Sequence, residues 1–132
     1  HCGSKQDPRK VFKPRAARPA ITKPEEMRET LAKLRGYRVR LWDYLISHSV
    51  LQLRVAHFAT YGYSSKRNTL IVCTETQEIR VPTRAWDSGL RLDMSEDKYG
   101  KLHQLIDDAA DVHIECWHLS IYEKMPAHFF GV

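Results

Sequence analysis

The stretch DVHIECWHLSIYE, residues 111–123, places His113, Glu115, Cys116 and His118 within six positions. Imidazole nitrogen, thiolate sulfur and carboxylate oxygen are the donors from which zinc sites and cysteine–histidine nucleophile pairs are built. The apolar residues between them read as a β-strand, along which successive side chains point to opposite faces. Strict alternation puts Val112, Ile114, Cys116, His118 and Ser120 on one face, and His113, Glu115, Trp117, Leu119 and Ile121 on the other. The four donors then divide two and two. Zinc takes about four ligands, and no second C-x2-C or H-x3-H half-site occurs elsewhere in the chain. Convergence would require His57 and Cys73 to join Cys116 and His118, an enzyme or metal site assembled only by folding.

The expectation is therefore an ordinary strand, with no metal ion, no cofactor and no catalytic residue. Cys73 in TLIVCT and Cys116 in HIECWH read as buried thiols acting as small apolar side chains. The apolar side of the strand changes along its length, from Val112 and Ile114 to Leu119 and Ile121. A β-bulge near Cys116, or cover on both faces, accounts for the change. No G-x-S-x-G, H-E-x-x-H, Walker or G-x-G-x-x-G pattern is present. Asp107, Asp108 and Asp111 cluster in what reads as a helix end, and a solvated acidic turn is their simplest role.

The elements that hold these residues follow from periodicity and punctuation. TKPE, residues 22–25, is a capping-box pattern with Pro24 in the first turn and Glu25 and Glu26 at the positive end of the dipole. Met27, Leu31 and Leu34 repeat at helical spacing before Gly36, which predicts a helix over about 23–35. YRVRLWDYLISHSVLQLRVAHF predicts a hairpin turning at Ser47, His48 and Ser49. With Ile46 opposite Val50, Val39, Leu41, Leu45, Leu51 and Val55 face the core. Trp42 then meets Arg54 on the other face as a cation–π pair, and Asp43 points awkwardly between leucines. A loop, ATYGYSSKRN, leads to a second hairpin, TLIVCT and IRVPT, turning at ETQE and ending at Pro82. Ser95, Glu96 and Asp97 open a second predicted helix, lined by Tyr99, Leu102, Ile106 and Ala109. The expected class is α+β: an antiparallel sheet of about five strands, from two hairpins and a C-terminal strand, with two helices.

Charge separates the chain into two parts. Residues 1–24 hold seven lysines and arginines against one aspartate, so the +5 of the whole chain leaves the remainder near neutral. The expected organisation is a basic, proline-rich flexible arm over 1–22 and a single α+β domain over 23–132. Arg9, Lys10, Lys13, Arg15 and Arg18 equip the arm to follow an anionic polymer. No apolar run reaches the ~18 residues of a membrane span. The three cysteines, Cys2, Cys73 and Cys116, are too few and too far apart for a disulfide framework, which suits a reducing, cytoplasmic setting. A targeting segment upstream of His1 would not be visible.

Together these features describe a non-enzymatic binding protein acting through protein–protein contact, as a subunit, an adaptor, an immunity-type partner or a homodimer. The alternative is a nucleic-acid-binding protein that combines the arm with a sheet face bearing Arg40, Trp42, Tyr44 and Arg54. No RRM, KH or zinc-finger consensus supports that alternative.

Overall fold

Met27, Leu31 and Leu34 recur at the spacing of one helical face, and all three are buried. Met27 and Leu31 belong to helix α1 (Pro24–Lys33), and Leu34 is its C-terminal cap, in a computed structural model that describes residues 19–59 and 62–130, the side chains of 57–67, 127 and 128 excepted. Lys23, not Thr22, occupies the cap position, and no side chain caps the first turn. The chain leaves the helix through Gly36 at φ +83°, a left-handed conformation that glycine adopts without steric cost.

Beyond α1 the described chain is almost entirely antiparallel sheet. Strands β1 (Arg38–Leu45), β2 (Val50–Ala59), β3 (Gly62–Arg80), β4 (Trp86–Asp87), β5 (Arg91–Asp97), β6 (Gly100–Asp107) and β7 (Val112–Met125) form one sheet. Their order is β4-β1-β2-β3-β7-β6-β5. Among the described residues strand accounts for 61% and helix, 3-10 turns included, for 15%, a curled half-barrel with one α-helix. The expected five strands with two helices is thereby corrected.

Two misread segments make the difference. Residues 95–107 of the stretch expected as a helix belong instead to the β5–β6 hairpin, paired from Arg91↔Ile106 to Asp97↔Gly100, and 108–110 form the turn after it. The spacing of Tyr99, Leu102 and Ile106 imitates a helical face, yet Tyr99 is 73% exposed, and the hairpin's buried side chains are Leu92, Leu105 and Asp107. Those three follow a two-residue period on paired strands. The expected turn at ETQE does not form either. β3 runs through it for 19 residues and pairs with β7 as far as Arg80↔His113. Glu75, at φ +54°, absorbs the irregularity. Cys73 pairs with Leu119 and Thr76 with Cys116, so both strands advance three residues between these points. That phase change lets Val112, Ile114, Cys116, Leu119 and Ile121 all join one core.

The first hairpin forms with a different register from the expected one. A 3-10 turn (Ile46–His48) and Ser49 in the left-handed region place Leu45, not Ile46, opposite Val50. A bulge at Trp42, between Leu41↔Leu53 and Asp43↔Gln52, shifts the register again. Val39, Leu51, Leu53 and Val55 still reach the inner core, whereas Leu45 packs on the outer face. Asp43 is exposed, its Oδ1 accepting the Tyr44 N–H at 2.9 Å.

The sheet carries apolar clusters on both faces. The inner face, with α1 packed on it, contains Met27, Leu31, Ile71, Cys73, Leu105, Ile114 and Ile121. The outer face holds Val50, Leu70, Val72 and Met125 beneath a C-terminal 3-10 turn (Ala127–Phe130). Within the stretch 1–22 expected as an arm, Ile21 forms an antiparallel bridge with Ile121, bonding through both backbone groups at 2.8 and 3.0 Å. No helix among the described residues is long and apolar enough to cross a membrane.

Candidate functional site

Three places on this sheet bring chemically capable side chains together. The first is the outer face of β1 and β2. The bulge at Trp42 keeps its indole on the outer side, where Arg54 lies 5.1 Å from the ring centroid. Phe130 closes over the same guanidinium at 4.2 Å and meets Trp42 edge-on at 5.1 Å. Arg54 Nε also donates to Asn68 Oδ1 at 2.9 Å. Only 2% of Arg54 is exposed, so it supports the C-terminal turn from below. Trp42 is half-buried, while Arg40 and Tyr44 are exposed. Sequence reasoning paired Trp42 with Arg54, but not with the turn that covers them. Arg9, Lys10, Lys13, Arg15 and Arg18 lie outside the described residues.

The second place is the inner core at Cys73 and Cys116. The neighbouring Cys116 thiol, together with burial, pushes the Cys73 thiol well above its usual range. A buried protonated thiol is a poor nucleophile and a poor metal ligand. Both cysteines are free, as expected. His118 does not share their site: its Nε2 lies 3.6 Å from Glu75 Oε1. It lines a small cavity of about 140 Å³ with Thr22, His103, Leu119 and Ser120. Burial lowers the pKa of His103 from its ordinary value, with a smaller push from the charge of His118. The backbone of Cys116 and Trp117 opposes that shift. The His57 side chain is outside the described residues, so the structure brings together only Cys73 and Cys116 of the four.

The third place is on the outer face, where β6, β7 and β3 lie side by side. His113 and Glu115 are two residues apart on β7 and share this face, as alternation requires. β3 supplies Glu78, paired with Glu115, after the register shift between Thr76 and Glu78. β6 supplies Gln104 on the other side of Glu115. His113 Nε2 lies 3.3 Å from Glu115 Oε2 and 3.7 Å from Glu78 Oε2. Even so, that nitrogen is buried and has no well-directed hydrogen bond. Gln104 Nε2 donates to Glu115 Oε2 at 2.8 Å. This bond, reinforced by the neighbouring His113 ring, holds the Glu115 carboxyl below its usual pKa. Reading 75–78 as a turn hid Glu78, and reading 95–110 as a helix hid Gln104. Extending the two-residue period of LIVCT through ETQEIRV was the signal that could have found Glu78.

Comparison with protein-family models, with curated proteins and with solved structures gives no match.

Proposed function

We propose that this chain is a non-enzymatic binding protein that accepts an extended segment of a partner protein along the outer margin of β1. The observation that carries this reading is the incomplete pairing of that strand. β4 bonds only to Arg38 and Val39, and no strand among the described residues pairs with 40–45 on the same side. Such an edge offers alternating main-chain donors and acceptors to an incoming strand, and side chains beside it supply specificity. Arg40 and Tyr44 are exposed there, and Ile46, just beyond, is 79% exposed. The bulge at Trp42 and the Asp43 carboxylate on the Tyr44 N–H guard the edge against indiscriminate pairing. A specific partner replaces that carboxylate with its own backbone carbonyl.

At the other end of the sheet, β5 is less hospitable. It carries Asp93, Glu96 and Asp97, and the Leu92 carbonyl already accepts from Arg28 Nε at 3.1 Å. The test is photo-crosslinking of the full chain with a reactive side chain at Ile46 or, as a control, at Asp97. A partner adduct of one defined mass is expected from Ile46 alone, and it disappears with Tyr44→Pro. That substitution removes the donor that bonds to Asp43 Oδ1. Equal labelling from both positions, or an adduct indifferent to Tyr44→Pro, overturns the reading. Oligonucleotide binding that weakens with salt, without a protein adduct, transfers the assignment to nucleic acid.

A further inference from the structure

We infer that Glu78, His113 and Glu115 form a binding site for one divalent first-row transition ion, with zinc the best match to the donor set. This inference is independent of the β1 edge. Among the described residues, these are the group whose ligand atoms all lie within 4.8 Å of one another. A tetrahedral zinc ion with ligands at roughly 2.0–2.2 Å holds those ligand atoms about 3.4 Å apart. The imidazole-to-carboxylate distances of 3.3 and 3.7 Å already bracket that spacing. Glu78 is the ligand with furthest to move, and its side chain is 54% exposed and free to adjust.

The buried, poorly directed Nε2 of His113 is the second and separate observation. With the ring proton on Nδ1, this nitrogen presents its lone pair to an ion placed between all three ligands. The ion's double positive charge would also balance the two carboxylates on a partly buried face. Gln104 extends the site in the way metal centres are ordinarily supported. Its bond to Glu115 Oε2 fixes the same oxygen that faces His113. One nitrogen and two carboxylate oxygens suit zinc, cobalt or manganese, whereas calcium and magnesium favour all-oxygen shells. Three protein ligands leave a fourth position for water or for a donor from a bound partner.

The experiment is metal titration of the full chain after chelator treatment, with Zn²⁺ followed by calorimetry and Co²⁺ by visible absorption. One equivalent is expected, with Co²⁺ developing the absorption bands of a low-coordinate site. His113→Gln and Glu78→Gln should each weaken uptake by at least about tenfold. Gln104→Ala, which touches no ion, should weaken it by about 10–100-fold through the loss of its hold on Glu115. Because Glu78 is more than half exposed, its variant tests the site even if His113→Gln fails to fold. Unfolding curves without metal verify this. No uptake by the wild-type chain overturns the inference. So does uptake that persists unchanged in Glu78→Gln, which would place the ion elsewhere.

Discussion

His103 sits where β6 begins to pair with β7, in a cavity with His118, and its surroundings work against its charge. Burial lowers its folded-state pKa below the ordinary 6.5. Between the lowered value and the ordinary one, the unfolded chain binds more protons than the folded chain. Stability is therefore fully present above about 6.5 and is lost progressively as pH falls toward the folded-state value. His103→Gln should flatten the fall in urea midpoint between about pH 7 and about pH 5. Glu115 acts in a separate, more acidic window. Its depressed pKa contributes stability that disappears as pH falls below its ordinary 4.5. Other single residues show how much chemistry a sequence can announce. The Trp42–Arg54 contact and the burial of Cys73 and Cys116 were readable from residue type and local spacing. The meeting of the two thiols was not, because β3 and β7 had to be placed side by side first.

Hairpin β5–β6 shows why element type was the least legible feature. Residues 99, 102 and 106 satisfy a helical spacing by coincidence, and Ser95 followed by two acids looks like a helix start. What decides the matter is the partner strand: β6 pairs with β7 from His103↔Cys116 to Asp107↔Val112, and β5 then pairs with β6. Gly100 closes the hairpin at φ +129°, with Tyr99 N–H donating to Asp97 Oδ1 at 2.7 Å. An L side chain rarely adopts that φ, so Gly100→Ala should cost about 1–3 kcal/mol, measurable by chemical denaturation. In a helix the same substitution would stabilise by up to about 1 kcal/mol. The sign of the change therefore distinguishes the two structures. Helix α1 was legible because its apolar spacing, acidic first turn and terminal glycine all agree. In β3, ETQE carries the polarity of a turn, and it is held in the strand by the facing β7 and by the bonds of Thr76 to the Ser49 carbonyl.

At the scale of the whole molecule, the sheet curls until segments from its two ends meet, and Asp107 fastens them. It is 1% exposed. Its Oδ2 accepts from Trp86 Nε1 at 3.1 Å and from the Gly89 N–H at 2.7 Å, and its Oδ1 accepts from the Ala110 N–H at 3.3 Å. Trp86 belongs to β4 at one edge of the sheet, whereas Asp107 ends β6, next to the other edge. Asp107→Ala leaves three donors without their acceptor and should cost about 2–4 kcal/mol in thermal or urea unfolding, far more than loss of a solvated surface acid. By itself the sequence determined the helix α1, the prevalence of antiparallel strands, the free thiols and the charge imbalance. Each of these depends on residue type and near-neighbour spacing. Only the tertiary structure decided the seven-strand order, the burial of Arg54, the task of Asp107 and the meeting of Glu78, Gln104, His113 and Glu115. Those depend on which strands become neighbours and on bulges that move a side chain from one face to the other. Strand register sums many weak cross-strand contacts, and no local window of residues contains that sum.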